Sequence, residues 1–295
     1  MENIVISKIC GLCAGCKRAI TVAEKELENG KNVTIFKEIV HNKNVNQTLL
    51  NKGAKFASTL NELNKNETVI IRAHGEPPET YEFLNKNNIE FKDCTCPRVE
   101  KIHEVVKEYS SKDFNIIILG KFHKALHPEV LGTVGWANGK EILIETEDDL
   151  SKLENINDSK FYLVCQTTFN EKKADELILK IENIAKQNNC ELVTNKSICD
   201  AQKMINKSSA ELAKNSNIMI VVGGKNSSNS LELFKNMQTI CPSIFIENIN
   251  EYASALKDAG LTISKNTKIG ITAGASTNKE ELENLKQLIL KDLGE

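Results

Sequence analysis

The sequence predicts an α/β protein of three similar small units, each a mainly parallel sheet with helices on its faces, arranged with pseudo-threefold symmetry around a central cavity. Three observations carry that expectation. Apolar runs of strand length alternate with helix-length amphipathic stretches along all 295 residues, the order expected when helices cross between parallel strands. One run recurs as Asn3-Ile-Val-Ile, Asn115-Ile-Ile-Ile and Asn217-Ile-Met-Ile, with starts 112 and 102 residues apart. A second recurs as VIIRAHG (69–75), YLVCQTT (162–168) and IGITAGAS (269–276), each ending in small or polar residues. Weaker runs, VTIFKEI, EILIE and SIFIEN, take matching positions between them. A triplication accounts for these repeats in register. It divides the chain at 1–96, 97–195 and 196–295, with the N-terminal strand able to pack with the third unit.

Composition narrows the function. Lys and Arg number 38 against 40 Asp and Glu, a net charge of −2, which gives no reason to expect nucleic acid or an anionic membrane as main partner. The apolar runs, such as NIIILG (115–120) and NIMIVVGG (217–224), fall well short of the roughly 18–20 residues of a membrane span. The start MENIVIS lacks a basic segment followed by a long apolar one, so a cytoplasmic protein is expected. Nine cysteines are many for such a chain, and in the cytosol they point to metal binding or catalysis rather than a disulfide framework.

Open α/β sheets bind ligands beyond the carboxyl ends of their strands. The residues there are Cys13, His41, His74, His127, Glu129, Thr167, Ser227, Asn229 and Ser276, a strongly polar set drawn from all three units.

The cysteines divide by context. Cys13 (GLCAGCKRAI), Cys96 (DCTCPRVEKIH) and Cys199 (SICDAQK) each open a predicted helix, and Pro97 suits a first helical turn. A helix N-terminus favours a thiolate, or an anionic iron–sulfur cluster bound through one. Their separations, 83 and 103 residues, roughly match the repeat length. Three converging thiolates are one short of the usual four for a [4Fe–4S] cluster, which leaves one iron open for substrate. A lone cysteine is ordinarily a small buried hydrophobe, and Cys165, Cys190 and Cys241 suit that reading. Cys10, Cys13 and Cys16 form C-x-x-C-x-x-C, a motif for either a metal or a redox pair. The roles of Cys10, Cys16 and Cys94 stay open.

These motifs together resemble the 4-hydroxy-3-methylbut-2-enyl diphosphate reductase family (LytB/IspH), whose members close the non-mevalonate isoprenoid route. GLCAGCKRAI, EIVHNKNV, RAHG, CTCPRVEKIH, HPEVLGTVGW, QTT, GGKNSSNS and ITAGAS occur in the family's order, nearly end to end. The resemblance implies three α/β domains around a cluster-holding cavity, with Cys13, Cys96 and Cys199 as ligands. It sets the substrate's diphosphate among His41, His74, His127, Ser227, Ser228, Asn229 and Ser276. Imidazoles, hydroxyls, an amide and backbone N–H groups suit a diphosphate. GGKNSSNS after an apolar strand also reads independently as a phosphate-binding turn, or else as a plain helix cap.

The implied reaction reduces an allylic diphosphate with loss of its hydroxyl as water, using two electrons and two protons. A ferredoxin or flavodoxin is the implied electron donor. Glu129 is the candidate proton source, because a carboxyl enclosed near an anionic diphosphate is pushed toward its neutral form. Thr167 relays or orients that proton, and His127 stands beside it in the catalytic set. His103 and His123 read as structural or solvent-facing. The chain departs from the family at the iron end: Gln202 stands where a threonine is usual, and Cys10, Cys16 and Cys94 replace residues that are not normally cysteine. Those departures admit a second reading, a paralogue with a modified or larger iron–sulfur cluster that reduces another small substrate.

Overall fold

The computed structural model describes residues 3–40, 42–153, 159–225, 227–274 and 277–294. Among them lie twelve strands: β1 Ile4–Ile6, β2 Val33–Phe36, β3 Lys55–Ala57, β4 Thr68–Ile71, β5 Phe91–Asp93, β6 Asn115–Leu119, β7 Glu141–Ile144, β8 Lys160–Cys165, β9 Glu191–Asn195, β10 Ile218–Val222, β11 Ser243–Ile246 and β12 Ile269–Ala273. The described α-helices are α1 Ala14–Glu28, α2 Lys43–Asn51, α3 Pro78–Lys86, α4 Pro97–Ser111, α5 Pro128–Trp136, α6 Glu171–Gln187, α7 Ala201–Ala213, α8 Ser228–Gln238, α9 Tyr252–Asp258 and α10 Lys279–Asp292. No described helix is long and apolar enough to cross a membrane.

The strands form three four-stranded sheets, and their pairings are parallel. Parallel sheets are covered on both faces, so their inner strands read as unbroken apolar runs. β10 (IMIVV) is buried at every position, and β6 (NIIIL) at all but its first.

The three sheets share one strand order: β3-β2-β4-β5, β7-β6-β8-β9 and β11-β10-β12-β1. In each, the first strand in the repeat is inner, the second lies outside it, the third is the other inner strand, and the fourth closes the far edge. β1 fills the fourth place of the third sheet, with Ile4 opposite Ile269. The fold is therefore three repeated α/β units, as the alternating pattern predicts.

The phase of the repeat needs a correction. Asn3-Ile-Val-Ile is not the counterpart of the Asn115 and Asn217 runs, because β1 is an edge strand while β6 and β10 are inner ones. Their counterpart is β2, so VTIFKEI supplies the first strand of its sheet and not the second. Short parallel strands draw on the same β-branched residues, so composition does not report which place a strand takes.

By contacts the chain forms two compact units. Unit one, Met1–Glu24, Glu38–Ala54 and Asp200–Glu295, holds the β11-β10-β12-β1 sheet; unit two, Lys25–Lys37 and Lys55–Cys199, holds the other two. Alternate side chains of a strand serve opposite faces. In unit one, Ile220 and Ile271 join Leu282 and Leu285 of α10, while Met219 and Val221 join Ile205 of α7 and Leu233 of α8. In unit two, Ile117 and Leu163 join Leu177 and Ile181 of α6, while Ile116, Ile118 and Val164 join Ile102 of α4 and Val130 of α5. The second set anchors the helix that Cys96 caps and the helix whose first turn carries Glu129.

Candidate active site

In unit two the chain leaves β6 at Leu119 and turns back to start α5. Gly120 permits the close approach of that helix: a Cβ there would lie 2.5 Å from Val130 Cγ2. His127 caps α5, and its Nδ1 accepts the Glu129 N–H at 3.2 Å. A neutral His127 therefore carries its ring proton on Nε2. Glu129, in the first helical turn, is only 2% exposed. Its Oε1 accepts the Thr167 N–H at 2.5 Å and its Oε2 the Thr167 hydroxyl at 2.7 Å. A buried carboxyl group is tolerable when both oxygens are paired in this way. The Thr167 carbonyl in turn accepts the Cys199 N–H at 2.7 Å. One hydrogen-bonded line thus runs from His127 through Glu129 and Thr167 to Cys199.

Two residues fix this line to the sheet. Gln166, 3% exposed, donates its N–H to Leu119 O at 2.8 Å, accepts the Lys121 N–H on Oε1 at 3.0 Å and donates through Nε2 to Thr168 Oγ1 at 2.7 Å. Ser197 Oγ accepts the Cys165 N–H and donates to the Cys165 carbonyl, which holds the Cys199 loop against the end of β8.

The His74 turn lies in the same unit. Beyond β4 and β5, Cys94 N–H donates to Ile71 O and Cys96 N–H to Ala73 O, both at 3.0 Å, so Cys96 is held alongside the RAHG segment. Cys96 is the N-cap of α4 and makes no side-chain cap hydrogen bond; Pro97 occupies the first helical position. Cys96 is half-buried, whereas Cys94 is 1% exposed. The His74 and His127 rings meet edge-on with centroids 5.6 Å apart. Gly75 takes φ +70°, and a Cβ on it would lie 2.5 Å from His103 Cε1. Glu76, buried, accepts from Arg72 Nε at 3.2 Å and Lys37 Nζ at 2.6 Å, and its carbonyl accepts the Trp136 indole N–H. His103 stacks on Trp136 with its Nε2 buried and without a hydrogen-bond partner among the described residues, and burial pushes its pKa down to about 4.

In unit one the segment before α1 is strapped to the end of β12. Gly11 N–H donates to Ala273 O and Leu12 N–H to Thr277 O; Gly11 has φ +74°, and a Cβ would lie 2.7 Å from Thr277 O. Cys13 follows, directly ahead of α1. Its sulfur accepts hydrogen bonds from the Cys16 thiol first, then from backbone N–H groups of Cys16 and Gly15, which outweigh burial and pull its pKa down to about 6. Cys10 is the opposite case: its thiol donates to Ser7 O at 3.1 Å, and burial pushes its pKa up to about 11.

Ser227 caps α8, accepting from Ser230 N–H and Ser230 Oγ. Ser230 is fully buried, and a Cβ on Gly223 would lie 2.5 Å from its hydroxyl, so the glycine lets the start of α8 come down onto the strand ends. Asn229 is half-buried on α8. His41, Ser276 and the side chain of Ser228 lie outside the described residues. Gln202, on α7, donates to Asn206 Oδ1 at 3.4 Å, and its buried Oε1 has no hydrogen-bond partner among the described residues.

The candidate ligands occupy equivalent places in the repeat. Cys13, Cys96 and Cys199 each follow a fourth-place strand (β1, β5, β9) and precede the helix (α1, α4, α7) that leads to the next first-place strand (β2, β6, β10). Those first strands start 82 and 103 residues apart, which tracks the cysteine separations of 83 and 103. Among the described residues no group of three His, Cys, Asp or Glu side chains is placed to hold a metal ion; each of these cysteines belongs to its own strand–helix junction.

The sequence model of the LytB protein family matches residues 4–290. The chain belongs to this family. Among LytB relatives, the 4-hydroxy-3-methylbut-2-enyl diphosphate reductase of Clostridioides difficile is 38% identical over 93% of this chain and 94% of its own length. That of Aquifex aeolicus is 34% identical over 98% and 96%. A solved structure of (E)-4-hydroxy-3-methyl-but-2-enyl diphosphate reductase, the terminal enzyme of the non-mevalonate pathway, matches with TM-score 0.77 and 32% identity over 99% of this chain and 100% of that one. The Plasmodium falciparum E-1-hydroxy-2-methyl-but-2-enyl-4-diphosphate reductase matches with TM-score 0.79 and 27% identity, covering 97% of this chain and 87% of that one.

In this LytB chain, reading the motifs residue by residue missed the supporting groups. Gln166 stands inside QTT and Arg72 inside RAHG, each directly before or near a residue singled out for function. A polar residue at the end of an apolar strand is the signal that marks both.

Proposed function

We propose that the protein reduces 4-hydroxy-3-methylbut-2-enyl diphosphate, removing its allylic hydroxyl as water and yielding isopentenyl and dimethylallyl diphosphates. The observation that carries this reading is the buried Glu129–Thr167 pair joined by a backbone hydrogen bond to Cys199. It links a proton-carrying group to a cysteine at the ligand position.

Cys13, Cys96 and Cys199 are the thiolates for a [4Fe–4S] cluster. Soft sulfur donors suit it; the Cys13 sulfur is already surrounded by donors, and Cys96 stands half-buried at the N-cap of α4. Such a cluster, fed by a ferredoxin or flavodoxin, supplies single electrons and one iron free of protein ligands. Cys10 and Cys94 stand outside the ligand set, since one thiol is bound to Ser7 O and the other is 1% exposed.

The side chains bind the diphosphate and move protons. His127, with Nδ1 engaged, offers Nε2–H to a phosphate oxygen, and His74 beside it serves the same anion. His41, Ser227, Ser228, Asn229 and Ser276 complete the diphosphate site, a reading supported by family membership. Glu129 delivers a proton to the departing hydroxyl, so that C–O cleavage releases water. The Thr167 hydroxyl, donating to Oε2, orients the carboxyl group and relays a proton to it, accepting one on its oxygen as it passes its own on. A second proton and two electrons complete the new C–H bond.

The test is anaerobic reconstitution with iron and sulfide, then turnover of the substrate with a reduced viologen dye. About four irons per chain and both isomeric products are expected. A loaded cluster with no dehydroxylation would overturn the assignment.

A further inference from the structure

We infer that Cys13 and Cys16 form a reversible intramolecular disulfide when no cluster engages Cys13, with hydroperoxides as the oxidant. Cys16 is one of the cysteines the reductive reaction leaves unused. It stands in the first turn of α1, three residues after Cys13. Residues at that spacing share a helix face, with Cβ atoms about 5–6 Å apart; a disulfide needs about 3.5–4.5 Å. The intervening Ala14 and Gly15 carry little bulk, and forming the bond requires the two Cβ atoms to come about 1–2 Å nearer. The Cys16 thiol already donates to the Cys13 sulfur, which brings the two sulfurs into contact.

Access and competition point the same way. Neither thiol is in a disulfide and both are half-buried, so a small oxidant reaches them. The other thiol of the motif, Cys10, is turned to Ser7 O, and Cys94 and Cys165 are buried. Within the motif, Cys16 is therefore the partner of Cys13.

The chemistry balances in two steps. The Cys13 sulfur attacks a peroxide oxygen and breaks the O–O bond; sulfur is oxidised to the sulfenic acid, and the departing oxygen leaves as water or an alcohol. The Cys16 sulfur then attacks Cys13 sulfur, the S–O bond breaks, and the hydroxyl leaves with the Cys16 proton as water. Two electrons in all pass from the two thiols to the peroxide. A dithiol reductant reverses the bond by exchange. The pair holds Cys13 at the disulfide level, short of the irreversible sulfinic acid. Protection by a bound cluster rests on the proposed function; the disulfide itself does not.

The test uses the full chain, reduced and stripped of metal by chelation, exposed to one equivalent of hydrogen peroxide. Expected is a mass loss of about 2 Da, two hydrogens, with the link mapped between Cys13 and Cys16 in unreduced peptides and removed by dithiothreitol. Cys16→Ser should give dimedone-trapped sulfenic acid or sulfinic acid on Cys13 instead, and Cys10→Ser should behave as the parent. A link mapped to another pair, or equal sulfinic acid in the parent and Cys16→Ser, would overturn the inference. A parallel sample with iron and sulfide restored should resist oxidation. Disulfide formation there at the stripped protein's rate would instead count against Cys13 as a ligand.

Discussion

Thr167 supplies both donors that reach the Glu129 carboxyl group, its N–H to Oε1 at 2.5 Å and its hydroxyl to Oε2 at 2.7 Å. The two residues come from different strand ends, one beyond β8 and one at the start of α5. The backbone donor survives any substitution except proline; the hydroxyl does not. Thr167→Val should therefore keep the carboxyl in place yet lose proton transfer. A hydrogen bond to a charged group contributes about 1.5–3 kcal/mol, so kcat should fall roughly 10–100-fold with KM little changed. Thr167→Ser should recover most of the loss. Steady-state kinetics on the three proteins decide the matter, and a parental kcat in Thr167→Val removes Thr167 from the relay.

Glu129→Gln preserves shape and replaces the proton source by an amide. Iron content and substrate affinity should stay near parental values. Turnover should fall roughly 100-fold or more, the scale of a missing general acid. Unimpaired turnover would show that another group protonates the leaving hydroxyl.

The cysteines at the three equivalent junctions should behave alike. Cys13→Ser, Cys96→Ser and Cys199→Ser should each lose most iron and its visible absorbance, because a harder hydroxyl binds iron–sulfide poorly. Cys94→Ser, at a 1% exposed position, should keep its iron. Iron and sulfide analysis after identical anaerobic reconstitution tests the set, and full iron in any of the first three removes that cysteine.

His103 links folding to pH. Its folded pKa is pushed by burial from 6.5 down to about 4. Between those values the unfolded chain binds the proton and the folded one does not, so stability is lost as pH falls from 6.5 toward 4. Between pH 7 and 5 this single group accounts for about 2 kcal/mol. Denaturant titrations at the two pH values should show that the parent loses about that much more stability than His103→Phe. Identical losses would mean that the ring takes up its proton as readily in the fold as in the unfolded chain.

Gly75→Ala combines a left-handed backbone with overlap. The residue has φ +70°, and its added Cβ would lie 2.5 Å from His103 Cε1. A side chain in that conformation costs about 1–2 kcal/mol before any packing penalty. A drop in melting temperature of several degrees is expected. A compensating His103→Ala should recover part of it, since it removes the clash; no recovery would place the strain in the backbone alone.

Local residue pattern by itself determined the class of this fold. Runs such as NIIIL and IMIVV demand burial on both faces, amphipathic stretches between them demand helices across the sheets, and Pro97 after Cys96 marks a helix start. The spacing of Cys13, Cys96 and Cys199 was equally legible, because one repeat length separates equivalent junctions. Tertiary structure alone decided the rest. It set β1 at the edge of the third sheet, which shifts the apparent phase of the repeat. Glu129 and Thr167, 38 residues apart, met only because β6 and β8 became neighbours. Within one C-x-x-C-x-x-C motif it pushed Cys10 up to about 11 and pulled Cys13 down to about 6. A chain records burial and capping residue by residue, but similar Ile and Val runs carry no label for which strand pairs with which. Partners and local fields therefore exist only once the sheets are assembled.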